Sequence, residues 1–204
     1  MRAFCATAVL SLLLASWTDA TAQTLRIDSA KSHATIHVGK SGILSFAAGH
    51  THEVDAPIAE GTVELDLKDL PRSRVRLTIK SPALEVLTAN EPPDDVPKVQ
   101  EAMQSDKVLS ASRYPTIAFQ STLVTVTSRD GSSVEAAMTG RLTIRGVTRS
   151  LTTPVHLNIT TDAVTATGKF TIKQTDYGIK PITIAGVVAV KDELDVSFTI
   201  VAHQ

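Results

Sequence analysis

From Thr24 to its end, this chain runs as short segments in which apolar and polar residues alternate one by one, each closed by Gly, Pro, Asp, Asn or Ser. That period-two pattern excludes most folds. Successive side chains on a strand point to opposite faces, so strict alternation describes antiparallel strands with one apolar and one wetted face. Many such segments joined by turns predict a barrel or a sandwich. Gly140-Arg141-Leu142-Thr143-Ile144-Arg145-Gly146-Val147-Thr148-Arg149 shows the pattern at its clearest. Leu142 and Ile144 share one face, Arg141, Thr143 and Arg145 take the other, and Gly146 gives the backbone freedom for a tight reversal.

The remaining segments follow this rule. A first strand is expected at Leu25 to Asp28. A second follows, with Ala34, Ile36 and Val38 on one face and His33, Thr35 and His37 on the other; Gly39 and Gly42 flank a bend after it. Gly61 opens the next strand, through Val63, Leu65 and Leu67. Leu70-Pro71-Arg72-Ser73 then turns the chain into Val75, Leu77 and Ile79. Ile117 and Phe119, Val124 and Val126, an Asp130-Gly131 turn and a strand from Val134 lead into the Gly140 stretch. Beyond it lie Leu151, Val155, Leu157 and Ile159, where Pro154 marks an edge, bulge or bend. Phe170 and Ile172 follow Gly168, and the chain closes on Leu194, Val196, Phe198 and Ile200. About eight strands result, near the number at which a barrel can hold one small ligand.

One segment breaks the alternation. After Glu91-Pro92-Pro93-Asp94-Asp95, the residues Val96, Val99 and Met103 recur at helical spacing. A single short helix is expected, capped by Asp94 or Asp95, with Pro97 in its first turn and Ser110 to Arg113 at its end. Such an excursion suits a plug or lid over a barrel end. The fold expected is therefore all-β, an antiparallel eight-stranded barrel with one short helix.

The N-terminus has a different character. Arg2, the apolar run Ala6 to Ala15 and the small residues Ala20 and Ala22 form a secretory signal peptide over residues 1–22, leaving one barrel domain over 23–204. Cys5 and Trp17 would leave with it. The mature chain of about 180 residues would then hold no cysteine, which excludes disulfides and thiol chemistry. A net charge of −1 gives no electrostatic footprint for nucleic acid, and the mature chain has no integral membrane segment.

The order of three motifs carries a family resemblance: Arg113-Tyr114-Pro115-Thr116-Ile117-Ala118-Phe119-Gln120-Ser121-Thr122, the Gly140 to Arg149 stretch, and Asp176-Tyr177-Gly178-Ile179. Together they resemble the YceI-like family, the lipocalin-like, polyisoprenoid-binding periplasmic proteins. The resemblance implies an extended barrel with a helix beside it, whose apolar interior holds the tail of an isoprenoid or similar amphipathic lipid. It also implies a periplasmic or secreted location.

Alternation gives such a barrel an apolar lining. Phe46, Leu77, Ile79, Phe119, Leu142, Ile144, Phe170 and Phe198 are the lining candidates, with Tyr177 as a phenol able to orient a polar head. The same residues would equally fill an ordinary solid core. His50-Thr51-His52-Glu53 is the sharpest polar feature, since His50 and His52 share a strand face and could reach one metal ion, with Glu53, His33 or His37 as a third ligand. A solvated barrel rim explains it as well. No nucleophile elbow, zincin helix or phosphate-cradling loop occurs, so neither enzyme activity nor a cofactor is expected. Two functions remain open: a non-enzymatic lipid-binding protein, or a metal-binding or metal-assisted one centred on His50 and His52. A homodimer is compatible with either.

Overall fold

The structure, a computed structural model, describes residues 22–41, 51–88, 93–184 and 188–204. Residues 1–21, where a signal peptide is expected, and Gly42, Phe46 and His50 lie outside them. Eight antiparallel strands form a closed ring: β2 (His33–Ser41), β3 (His52–Leu65), β4 (Arg74–Lys80), β6 (Thr116–Asp130), β7 (Ser133–Ile144), β8 (Val147–Ile159), β9 (Ala163–Lys173) and β11 (Val188–His203). Closure comes from β9 and β11, paired from Glu193 with Lys173 to His203 with Ala163. Three short strands attach to this ring. β1 (Gln23–Ile27) bridges β3 and β11 at one end, β5 (Glu85–Val86) adds to β3, and β10 (Thr183–Ile184) adds to β11. The all-β barrel read from the sequence is the fold observed.

Turn chemistry sets the hairpins. Between β7 and β8 only Arg145 and Gly146 are left over, at φ 52° and 75°, the paired left-handed conformation that matches strand twist. Arg145, an unfavourable residue there, is held at both ends of its guanidinium, donating to the carbonyls of Gly178 (3.0 Å) and Asp106 (2.8 Å). A side chain at Gly146 would meet the Tyr114 ring at 2.9 Å. Thus one hairpin tip ties together the two other motifs that carried the family resemblance.

Bulges explain where the strand boundaries differ from expectation. Gly61 does not open a strand; it lies inside the 14-residue β3. An extra residue between Ile58 and Glu60 shifts the register and reverses which parity faces inward, so alternation read from the sequence restarts there. A similar shift around Thr122 joins Ile117 and Phe119 to Val124 in one continuous strand and turns Leu123 outward, 51% exposed. Gly39 sits within β2 rather than at a bend. The irregularity is on its partner β11, between Val190 and Leu194. Pro154 marks an edge: β8 pairs with β7 along its length but with β9 only from Val155 onward.

Helix α1 (Val96–Gln104) is shorter than expected. It stops well before Ser110 because Ser105 takes up its last carbonyls, the backbone N–H binding Glu101 at 3.0 Å and the hydroxyl binding Ala102 at 2.7 Å. Pro97 is in the first turn as expected, but Asp95 makes no side-chain cap hydrogen bond; its carboxylate instead accepts from Lys98 Nζ at 2.9 Å. Val96, Val99 and Met103 pack against one end of the barrel core. Among the described residues no helix is long and apolar enough to cross a membrane.

Candidate functional site

The inward faces of the strands do not meet. They leave between them a cavity of about 170 Å³. On β9 its lining runs from Val164 to Ile172, roughly 26 Å along the strand at about 3.3 Å per residue. Allowing for the usual tilt of barrel strands, the cavity is about 20 Å long. So small a volume over such a length is a slot one hydrocarbon chain wide.

Of the 28 lining residues among those described only Ser73 and Thr153 are polar, and both hydroxyls are engaged at the wall. Ser73 Oγ accepts from the Asp66 N–H at 3.0 Å, and Thr153 Oγ1 donates to the Lys169 carbonyl at 3.0 Å. Water needs two to four polar partners to occupy a buried space, and apolar cavities of this order stay dry. The interior therefore favours hydrocarbon over any hydrated or charged group.

Leu77, Ile79, Phe119, Leu142, Ile144, Phe170 and Phe198 all lie on this wall. Phe46 is outside the described residues. Tyr177 is not among the lining residues: it is 2% exposed, packed among Leu142, Ile144 and Ile179 beside the cavity. Burial, reinforced by the negative charge of Asp176, pushes its phenol above the usual tyrosine range. The residue sits in the turn Gln174–Tyr177, which Asp192 anchors by accepting from the Thr175 N–H (2.9 Å) and hydroxyl (2.7 Å). Gln174, also buried, donates to the Lys191 carbonyl at 2.7 Å.

Two groups of lining residues outside the candidate set are instructive. Ile58, Val63 and Val124 flank the bulges, where the inward parity changes. Ala56 and Ala166 are too small to stand out as hydrophobic, and Ala34, read on the apolar face of its strand, is as small. Their signal is positional, since Ala34 pairs directly with Phe198 and leaves room for its ring.

The histidine motif is divided. His50 is outside the described residues, and His52 begins β3 on the same side as Val54 and Ala56. Glu53 faces the other way and meets its cross-strand partner His37, Nδ1 to Oε1 at 3.2 Å. His33 shares that outer parity, so none of the three third-ligand candidates converges on His52. Among the described residues no three His, Cys, Asp or Glu side chains are grouped to hold a metal ion.

A second concavity lies on the outer wall, lined by polar groups including His33, Lys169 and the pair His156–Glu135, 2.6 Å apart. It is broad and open, and its floor is the same sheet whose inner face bounds the dry slot.

Residues 25–202 match the family model of the YceI-like domain. In structure the chain resembles BcnA of Burkholderia cenocepacia, with a TM-score of 0.60 and 20% identity over 86% of this chain and 98% of that one. It also resembles the Campylobacter jejuni YceI protein, with a TM-score of 0.54 and 17% identity over 73% of this chain and 84% of that one. At these identities the structural likeness establishes the fold alone. No curated relative matches the sequence.

Proposed function

Since this chain belongs to the YceI-like family, we propose that it is a non-enzymatic binding protein that holds the tail of an isoprenoid or similar amphipathic lipid inside its barrel. The family is known for barrels that bind polyisoprenoids or other lipids and is typically periplasmic. On this reading residues 1–22 direct export, and the mature barrel works in the periplasm or outside the cell. The observation that carries it is the dry slot, where among the described residues the two polar lining residues are both turned to wall partners. Each methylene moved from water into such a space contributes about 0.8 kcal/mol, so a long tail is favoured over a short one. With no charged residue among the described lining residues, the headgroup stays outside the slot on this reading.

Native mass spectrometry of the protein purified from its own host, with solvent extraction of the same sample, tests this. A co-purifying long-chain apolar molecule is the expected result. Repeated recovery of protein carrying none, and failing to take up an added prenol, would reject the carrier.

A further inference from the structure

The slot passes through two core clusters. One surrounds Leu25, Val63, Val134 and Leu157 at the β1 end, and the other surrounds Ala56, Leu142, Tyr177 and Val196 at the helix end. Among the described residues, Phe119 and Phe198 are the two packed against both. They stand on β6 and β11, four strands apart whichever way the ring is followed, and so face each other across the lumen.

Each ring is matched by a glycine on the neighbouring strand. A Cβ on Gly140 of β7 would collide with the Phe119 ring, and one on Gly168 of β9 would come within 2.5 Å of Phe198 Cζ. Gly168 is the direct cross-strand partner of Phe198, whose other partner is Ala34. The rings therefore lie sideways along the wall, each over a position without a side chain. Two phenylalanines projecting straight across would close a slot one chain wide.

We propose that Phe119 and Phe198, parked on Gly140 and Gly168, form a waist that sets the length of hydrocarbon tail the barrel accepts. This rests on the carrier reading and adds to it which residues decide tail length. A short tail fits within one half of the slot and never meets the waist. A long tail must pass between the two rings.

The test compares geraniol, whose two isoprene units fit one half of the slot, with geranylgeraniol, whose four units span it, each added to the native chain and to variants, with retention of prenol on gel filtration as the readout. Gly140→Ala and Gly168→Ala crowd a ring as well as the backbone carbonyl of Gln120 or Pro154, an overpacking expected to weaken geranylgeraniol about tenfold while leaving geraniol little changed. Adding Phe119→Ala to Gly140→Ala should restore geranylgeraniol. Equal weakening of both prenols, no change in either, or no rescue overturns the waist. Should an alanine unfold the barrel, Phe198→Ala alone decides: the ratio of geranylgeraniol to geraniol retained rises, and an unchanged ratio overturns the proposal. A native chain that retains neither prenol overturns the carrier and the waist together, whereas retention with variants blind to length overturns the waist alone.

Discussion

The two ends of the barrel are sealed by different physics. At the β1 end the seal is backbone: β1 pairs with β3 through Gln23 to Arg26 and with β11 through Arg26 and Ile27. Ser32 then fills the fork between β1 and β2, accepting from the Val201 N–H at 2.9 Å. Leu25, Val134 and Ala202 beneath it have no exposed surface. At the other end α1 contributes no buried residue of its own. It is held by side chains, chiefly Gln100, which accepts from the Val86 N–H at 2.8 Å and donates to the Leu84 carbonyl at 2.7 Å. A ladder of backbone bonds opens only with the fold, whereas a few side-chain bonds can be exchanged for water locally. The difference makes the helix end the easier of the two to open.

The strongest way to break this comparison is to empty a site at each end. Leu25→Ala should cost about 2–5 kcal/mol, the range for a fully buried leucine, against about 1 kcal/mol for the half-buried Met103→Ala. Urea denaturation of both variants measures the gap, and equal losses would mean that the two ends are equally part of one core. A finer cut removes the helix tether. Gln100→Ala strands two backbone groups at a cost of about 1–3 kcal/mol, so amide exchange should quicken at Val86 and along α1 while β7 and β8 keep their protection. Exchange rising equally throughout would show the helix to be coupled to the whole barrel.

The smallest effect is in acid. Hydrogen bonds from the Thr175 hydroxyl and N–H hold the Asp192 carboxyl below its ordinary value of 3.8. A folded-state value lower than the unfolded one gives stability that is complete above the ordinary carboxylate range and is lost as pH falls through the lowered value. The Gln174–Tyr177 turn should therefore loosen in strong acid. The measurement is the pH dependence of its NMR signals, and Asp192→Asn should abolish that dependence. A turn that titrates identically in the variant would remove Asp192 from this role.

What the sequence disclosed followed from how local the signal was. Val75, Leu77 and Ile79, or Leu142 and Ile144, keep one phase along their strands, and the structure puts them on the inner wall. Gly61 misled because the bulge before it resets the phase, and a bulge is fixed by a partner strand far away in sequence. Two-residue β5 has no period to read. The pairing of β9 with β11 that closes the ring leaves no local mark at all. For the site, alternation placed side chains on a wall but could not say whether opposite walls touch. That depends on the small residues Ala34, Gly140 and Gly168, which draw aromatic rings aside.

Ahead of Val155, β8 has no ladder partner on β9. Such a bare edge is where another molecule's strand can dock and begin an aggregate. Here Pro154 offers no N–H to a newcomer, the Thr153 hydroxyl already occupies the Lys169 carbonyl, and exposed Arg149 sets a charge on the rim. The turn Gln174–Tyr177 packs against β8 and β9 at the same place. A protein with an oily interior thus guards this parted seam with polar and charged groups.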